Sequence, residues 1–237
     1  MTANRYKRPG ETGSFENPDR KPGRMTLVAF DFDGTLSDSE MTVLLGEQCG
    51  VADQMDEITE QAMNDEIEYA ESLRKRCGLL EGLPQERAEA AFDQVELRRD
   101  ADRVIDSLNE AGHHTAILTG GFERGVERAL EKAGVTVDSI VANRLPIEDE
   151  ELTGEVEGPL IEGTKDDALT DLAETVGVDM ADTVAVGDGA NDLPMLEVAG
   201  LSVGFDPKPA VEPACDIVVL SMSELQGVLE GEGVLSP

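Results

Sequence analysis

A small set of carboxylates, one hydroxyl and one lysine stands directly after short apolar runs or at the start of a helical pattern: Asp31, Asp33, Thr119, Lys165, Asp188 and Asp192. Oxygen donors with no histidine or cysteine among them favour a hard cation such as Mg²⁺. Carboxylates gathered in one cleft also repel one another unless a cation neutralises their charge. If the fold brings this set together, it indicates metal-assisted chemistry on a charged group such as phosphate.

Each member of the set has a task that it could perform in phosphoryl transfer. Asp31 can attack phosphorus as a nucleophile while the metal ion screens its charge from that of the phosphate. Asp33 lies two residues later, which on a strand places it on the same face, near enough to protonate the leaving oxygen. The Thr119 hydroxyl and the N–H groups beside it can hold phosphate oxygens, and Lys165 can pair with the phosphate and with the nucleophile.

Asp188 and Asp192 belong to a glycine-rich segment that follows another apolar run. Asp188 is expected to be the second carboxylate that holds the metal. Asp192 is expected to orient the metal-binding groups without binding the metal itself. Any single acid could instead be a solvated surface residue, because the chain has 51 Asp and Glu residues. The segment 31–35 alone is a modest signal, whereas partner segments in order after strands make a chance match negligible.

Alternating apolar runs and amphipathic segments must position these residues. Apolar runs that are too short for helices predict buried strands at 27–30, 115–118, 139–142, 183–186, 201–204 and 216–220. Helical patterns lie between them, and a hairpin is predicted at 145–156. This alternation predicts an α/β fold with a Rossmann-like parallel sheet and helices on both faces. Ligands bind beyond the carboxyl ends of parallel strands, which is where the candidate residues stand.

A helical insertion interrupts the alternation after the first strand. Apolar residues at helical spacing predict its helices at 51–63, 66–76 and 84–95. The first 24 residues are polar, contain several Pro and Gly, and show no apolar periodicity, which predicts a disordered tail. The predicted organisation is therefore a tail at 1–24, a core at 25–40 and 101–237, and a small helical cap at 41–100.

Four motifs resemble those of the haloacid dehalogenase superfamily and occur in the same order. They are Asp31-Phe32-Asp33-Gly34-Thr35, the strand that ends in Thr119, Lys165, and Gly187-Asp188-Gly189-Ala190-Asn191-Asp192. Further segments resemble the phosphoserine phosphatases within that superfamily: Glu40, Ser72-Leu73-Arg74-Lys75-Arg76, Thr119-Gly120-Gly121-Phe122, Ala142-Asn143-Arg144-Leu145 and Leu152-Thr153-Gly154. The resemblance runs from about residue 27 to 230, and it implies a hydrolase core with a cap that closes over the site.

The resemblance also implies a role for each candidate residue. Asp31 would be the nucleophile, carrying a phospho-aspartate intermediate, and Asp33 the general acid and base. Mg²⁺ would be held by Asp31, the backbone carbonyl of Asp33, and Asp188. Glu40 and Arg76 would bind the amino and carboxylate groups of the substrate. The residues that would position phosphate or substrate are Thr119, Gly120, Lys165 and Asn191.

The reaction implied by the resemblance is the Mg²⁺-dependent hydrolysis of O-phospho-L-serine to L-serine and phosphate, in serine biosynthesis. Another small phosphomonoester, phosphoryl transfer to an alcohol, or a catalytically silent binding protein of the same fold are alternatives. Glu40 and Arg76 distinguish among them, because an amino-acid substrate needs both of its charges met. Thr119 stands where the family usually has serine, which keeps the hydroxyl but adds a methyl group near the phosphate.

Composition limits the partners and the location. The formal net charge is −32, and a surface this acidic repels the phosphate backbone of nucleic acids. Three widely spaced cysteines indicate neither a disulfide framework nor a zinc site. No apolar run reaches the roughly 18 residues of a membrane span, and the N-terminus has no hydrophobic signal region. We expect a soluble cytoplasmic enzyme that acts on a small phosphorylated amino acid, away from nucleic acid and membrane, with no indication of oligomeric state.

The acidity has two interpretations. A cytoplasm very rich in salt would screen the repulsion among so many like charges. The alternative is an acidic protein without such an adaptation. The scarcity of lysine, six of the 19 basic residues, favours the first interpretation.

Overall fold

The computed structural model describes residues 24–63 and 66–236. The predicted tail at 1–24 therefore lies outside the described residues, apart from Arg24. The strands are β1 (Leu27–Phe30), β2 (His114–Phe122), β3 (Ser139–Asn143), β4 (Ile147–Glu148), β5 (Glu151–Leu152), β6 (Thr183–Gly187), β7 (Leu201–Phe205) and β8 (Ile217–Val219). The helices are α1 (Met41–Cys49), α2 (Ala52–Met63), α3 (Tyr69–Gly78), α4 (Gln85–Phe92), α5 (Ala101–Glu110), α6 (Glu123–Ala133), α7 (Lys165–Val176), α8 (Leu193–Val198) and α9 (Met222–Gly231). None of the helices in these two stretches is long and apolar enough to cross a membrane.

Six strands form one parallel sheet in the order β3-β2-β1-β6-β7-β8. The chain builds outwards from β1 on one side first and on the other side later, so the strand order reverses at β1. A reversal of this kind opens a crevice at the carboxyl ends of the strands around it. The predicted α/β class, a Rossmann-like parallel sheet with helices on both faces, is confirmed.

Successive residues of β1 face opposite layers of the core, as the pleat of a strand requires. Val28 and Phe30 pack in one hydrophobic cluster, which includes buried residues of α5 and α9. Leu27 and Ala29 pack in the other, which includes buried residues of α7 and α8. All four side chains are wholly buried, which explains why the run is apolar throughout instead of alternating with polar residues. The buried strand also fixes the position of Asp31, the residue that follows it.

Helices α1 to α4 lie between β1 and β2 in the chain, and residues of α1, α2 and α3 supply one wall of the crevice. The outgoing and returning segments meet: Ser37 forms an isolated bridge with Leu97, and the Arg98 N–H donates to the Leu36 carbonyl at 2.7 Å. The helices therefore connect to the sheet through two adjacent segments. We retain the division into a core at 25–40 and 101–237 and a cap at 41–100 as a proposal.

Two elements differ from the sequence prediction. β2 was predicted to end at Leu118, before the glycines, but it continues to Phe122, which pairs with Asn143 after a shift of register. A glycine pair does not end a strand when the next residue is apolar and finds a partner. Helix α1 was not resolved as a separate helix by apolar spacing, because its apolar residues are not confined to one stripe.

Candidate active site

The carboxyl ends of β1, β2 and β6 open into one cavity of about 520 Å³. This lies in the range of about 300–1,000 Å³ that is usual for small-ligand sites. Nine residues proposed from the sequence line it: Asp31, Asp33, Glu40, Arg76, Thr119, Gly120, Lys165, Asp188 and Asn191. The tenth, Asp192, is wholly buried and joins the site through its hydrogen bonds.

The polar group at the closed end of the cavity, here called the pocket floor, consists of Asp31, Asp33, Thr119, Lys165, Asp188 and Asp192. The Lys165 Nζ donates to Asp31 Oδ1 at 2.5 Å and to Asp192 Oδ1 at 2.6 Å. The second Asp192 oxygen, Oδ2, accepts hydrogen bonds from the Asp188 and Gly189 N–H groups, both at 2.9 Å. Asp192 thus holds both the lysine and the turn that carries Asp188.

Burial and crowding set the charges of the pocket floor. Burial raises the pKa of Asp31 to about 7; the charge of Asp192 adds to this effect and that of Lys165 opposes it. Burial disfavours the charged form of Lys165, but Asp192 and Asp31 outweigh it and raise the lysine's pKa. The lysine is therefore charged, and Asp31, Asp188 and Asp192 together bring more negative charge than it balances.

Asp33 lies in a different electrostatic setting. Its Oδ1 is buried and finds no hydrogen-bond partner among the residues that the structure describes. Burial, followed by the charges of Glu40 and Asp31, raises the pKa of Asp33 well above its usual value. These causes favour the protonated carboxyl group, which is the form that a general acid must have at the start of a reaction.

The segment from Thr119 to Gly121 forms the side of the floor that could hold an anion. The Thr119 side chain is buried, and its Oγ1 accepts from the Gly121 N–H at 2.9 Å. Asn143 Nδ2 donates to the Gly120 carbonyl at 3.0 Å, and its Oδ1 accepts from the Leu160 N–H at 3.1 Å. Asn143 thereby joins this segment to the loop before α7, which carries Lys165.

The donor set fits a hard divalent cation. Carboxylate oxygens of Asp31, Asp188 and Asp192 lie within 4.8 Å of one another. Both Asp192 oxygens are already engaged by Lys165 and backbone N–H groups, so Asp31 and Asp188 are the carboxylates better placed to bind a metal. Thr35 Oγ1 orients Asp188 by donating to its Oδ1 at 3.4 Å. An all-oxygen set with unbalanced negative charge is typical of such cations.

The open side of the cavity, here called the pocket wall, carries Glu40, Tyr69, Arg76 and Lys208. The Arg76 Nη1 donates to Thr42 Oγ1 at 3.3 Å, while its Nε is buried without a hydrogen-bond partner among the described residues. Glu40 lies at the rim and is exposed as a residue. Burial of its carboxylate nevertheless raises the pKa of Glu40, with Lys208 opposing that rise more than Arg76 does. The pocket wall thus offers an acid, Glu40, and a base, Arg76, that make few hydrogen bonds within the protein.

Two wall residues lie outside the ten site residues proposed from the sequence. Lys208 follows β7, and its Nζ lies 3.6 Å from Asp188 Oδ2. The rule that ligands meet strand ends could have found it, since it stands three residues after that strand. Tyr69 exposes 39 % of its surface, yet its hydroxyl lies deep in the cavity, where a Cβ added to Gly120 would come within 2.0 Å of it. From the sequence, Tyr69 is equally compatible with lining the pocket under the cap and with plain core; the structure places it in the lining of the cavity.

Comparisons with known proteins agree on one family. The family model described as haloacid dehalogenase-like hydrolase matches residues 28–197. The chain is 52 % identical to the phosphoserine phosphatase of Halobacterium salinarum over 210 residues, which is 89 % of this chain and all of that protein. It is 39 % identical to the phosphoserine phosphatase of Methanocaldococcus jannaschii, over 81 % of this chain and 91 % of that one.

Solved structures lead to the same family. A phospho-aspartyl intermediate analogue of phosphoserine phosphatase superposes with a TM-score of 0.79 at 37 % identity, covering 86 % of this chain and 98 % of that one. A substrate-bound phosphoserine phosphatase complex gives a TM-score of 0.79 at 36 % identity, covering 87 % of this chain and 98 % of that one. The likeness therefore extends over nearly all of the described residues.

Proposed function

The chain belongs to the haloacid dehalogenase-like hydrolase family, and from this premise we propose that it hydrolyses O-phospho-L-serine to L-serine and phosphate. One observation carries the proposal: a single cavity places the Asp31–Lys165–Asp192 network opposite the acid and base of the pocket wall. The network suits a phosphate group. Glu40 and Arg76 suit the ammonium and carboxylate groups that distinguish phosphoserine from other small phosphate esters.

The first half-reaction uses the pocket floor. An Asp31 carboxylate oxygen attacks phosphorus, the bond between phosphorus and the serine oxygen breaks, and Asp33 donates its proton to that oxygen. Lys165 and the Thr119 hydroxyl bind the phosphoryl oxygens and stabilise their charge as the bond is exchanged. The products of this step are serine and a phospho-aspartate at Asp31.

The second half-reaction reverses the role of Asp33. Its carboxylate now accepts a proton from water, and the water oxygen attacks phosphorus. The bond between phosphorus and the Asp31 oxygen breaks, which releases phosphate and restores the carboxylate. Because Asp33 alternates between donor and acceptor, its protonated form at rest, which burial favours, is the form that starts the cycle.

We propose Mg²⁺ as the divalent cation, with Asp31, the backbone carbonyl of Asp33, and Asp188 as the protein groups that would hold it. When bound, it neutralises charge on the phosphate and the carboxylates. Hard oxygen donors and the excess of negative charge over Lys165 support this choice. Asp192 stays outside the metal's reach in this proposal, since Lys165 and two N–H groups already engage its oxygens.

Substrate recognition would divide between the two sides of the cavity. Glu40 would accept the substrate's ammonium group, and Arg76 would donate to its carboxylate. Gly120 and Asn191, which line the cavity beside the pocket floor, would position the phosphate. The helices at 41–100 would act as the cap that closes over bound substrate, and the enzyme would act in the cytoplasm, in serine biosynthesis.

Phosphate release across a panel of substrates tests the proposed function. The panel contains phosphoserine, phosphothreonine, phosphoethanolamine and sugar phosphates, each with Mg²⁺ and with EDTA. We expect kcat/KM to be highest for phosphoserine, and EDTA to remove activity until Mg²⁺ is restored. Equal rates for phosphoserine and sugar phosphates would refute the substrate assignment. Full activity in metal-free protein would refute the role of the cation.

A further inference from the structure

Arg98 lies where the chain returns from the helices at 41–92 to the sheet. Its N–H donates to the Leu36 carbonyl at 2.7 Å, and the preceding residue, Leu97, bridges to Ser37. The backbone of this return segment is therefore hydrogen-bonded to the loop that follows Asp31 and Asp33.

The Arg98 side chain reaches further into that loop. Its Nη2 donates to the Gly34 carbonyl at 3.0 Å, and its guanidinium carbon lies 5.3 Å from the centroid of the Phe205 ring. Phe205 is buried at the end of β7. A planar guanidinium that stacks on an aromatic ring keeps its donors in a fixed direction. The Phe205 ring therefore fixes the direction in which Arg98 donates to the Gly34 carbonyl.

Gly34 is in direct contact with a carboxylate proposed to bind metal. Its φ is +88°, and a Cβ at this position would lie 2.6 Å from Asp188 Oδ1. The next residue, Thr35, donates from its hydroxyl to the same oxygen at 3.4 Å. The carbonyl of Asp33 lies one peptide earlier. The position of the Gly34 peptide thus sets how closely the Asp33 and Asp188 oxygens approach.

We propose that Arg98 is a positioning residue that holds the Gly34 peptide against Asp188 and thereby sets the affinity of the site for its divalent cation. This inference rests on the proposed metal-dependent function and deepens it. Arg98 does not line the cavity, so it acts through the loop, without touching substrate. Because it lies on the return segment, the same contact links the position of the helices at 41–92 to the geometry of the metal ligands.

The chain offers a matched control beside Arg98. The side chain of Arg99 is 94 % exposed and pairs with Asp100 at 3.5 Å, away from Gly34 and Phe205. Arg98→Met and Arg99→Met remove the same charge from neighbouring positions. Only the first removes a hydrogen bond to the loop. Phe205→Leu is a second probe, since it removes the ring and leaves the arginine in place.

Calorimetric titration of the metal-free protein with Mg²⁺ tests the inference, together with kcat, KM for phosphoserine, and the melting temperature. Removing a partner of a metal ligand typically costs about 10–100-fold in metal affinity or activity. We expect Arg98→Met to raise the Mg²⁺ Kd about tenfold and to lower kcat, with KM little changed. Arg98→Lys should recover most of the affinity, Phe205→Leu should weaken binding in the same direction, and Arg99→Met should bind as the unmodified protein does.

Two outcomes separate this inference from the function beneath it. If Arg98→Met and Phe205→Leu bind Mg²⁺ with the unmodified Kd while only the melting temperature falls, Arg98 is structural and the inference is wrong. If Arg98→Met does not fold, the Phe205→Leu titration decides by the same criterion. An unmodified protein that binds no Mg²⁺ would overturn the proposed function, and the inference with it.

Discussion

The pocket floor and the pocket wall differ in how far their charged groups are already satisfied. On the floor, Lys165 donates to two carboxylates, and both oxygens of Asp192 accept hydrogen bonds. On the wall, Arg76 has a buried Nε with no partner among the described residues, and Glu40 lies exposed at the rim. Apart from Asp33 Oδ1, which has no hydrogen-bond partner among the described residues, the floor is organised before any ligand arrives. The wall has polar groups left to be paired.

This difference suggests that the pocket floor supports the reaction of the phosphate group and the pocket wall selects the substrate. A preorganised floor stabilises charge wherever a phosphate ester enters, because its donors need no rearrangement. An arginine whose buried Nε has no partner, as in Arg76, favours ligands that bring a matching carboxylate. Substitutions on the floor should therefore affect every phosphate ester, with the effect at Asp33 also depending on how much the leaving group needs a proton. Substitutions on the wall should affect phosphoserine most.

The largest expected effect is at the nucleophile. Asp31→Asn should abolish turnover of every phosphate ester, because an amide nitrogen and oxygen cannot replace the attacking carboxylate. The fold should persist, since the two side chains have nearly the same volume. Phosphate release and circular dichroism together check this. An Asp31→Asn protein with near-normal turnover would contradict the phospho-aspartate mechanism and the assignment of chemistry to the floor.

The second effect concerns Asp33. Asp33→Asn should lower kcat by roughly 10²–10⁴, the usual contribution of general acid–base catalysis. The loss in kcat/KM, which reports the step that breaks the ester bond, should be smaller for p-nitrophenyl phosphate, because its leaving group needs little protonation. Steady-state rates for both substrates give the comparison. Equal losses in kcat/KM for the two would mean that Asp33 does not protonate the leaving oxygen.

The third effect tests the wall. Arg76→Ala should lower kcat/KM for phosphoserine by about 2–4 kcal/mol, the cost of leaving a partner charge unpaired. Glu40→Gln should cost about 1 kcal/mol, because solvent screens a group at the rim. Lys75→Ala is the control, since Lys75 pairs on the surface with Glu71 of its own helix.

Selectivity is the measurement that decides this prediction. Against p-nitrophenyl phosphate, which lacks ammonium and carboxylate groups, both wall variants should remain close to the unmodified enzyme. Equal losses of kcat/KM for phosphoserine and p-nitrophenyl phosphate would contradict the assignment of selectivity to the pocket wall.

The smallest effect concerns the surface. If the net charge of −32 reflects a salt-rich environment, raising KCl from about 0.1 to 2 M should screen repulsion and stabilise the fold. The melting temperature should rise by about 2–4 °C for each kcal/mol gained. Differential scanning calorimetry measures it. A flat or falling melting temperature would favour the plain interpretation of an acidic protein.

The sheet was predictable because its signal is local. The run 27–30 is apolar throughout, as a strand buried on both faces must be, and the other core strands follow the same pattern. The extension of β2 through Gly120 and Gly121 was not predictable, because it depends on Phe122 meeting Asn143 on a neighbouring strand. Pairing between distant segments leaves no periodicity in either one.

The site shows the same division. Asp31, Asp188 and Asp192 were placed together because the carboxyl ends of parallel strands meet at one edge. The sequence leaves Tyr69 undecided between pocket lining and core, and it gives no sign of Arg98. Their roles depend on tertiary contacts, with Gly120 in one case and with Gly34 and Phe205 in the other. For β1 the sequence predicts where the strand ends, but even there it does not show which side chain from another segment will reach that end.

The contact between Tyr69 and Gly120 limits how closely helix α3 can pack against strand β2. A side chain at Gly120 has no room beside Tyr69 of α3, because a Cβ there would lie 2.0 Å from the tyrosine hydroxyl and 3.2 Å from its Cζ. A methyl group there would clash with the tyrosine ring, displace it and hold α3 away from the sheet. The absence of a side chain at Gly120 thus sets how closely α3 can lie to β2 beside the pocket floor.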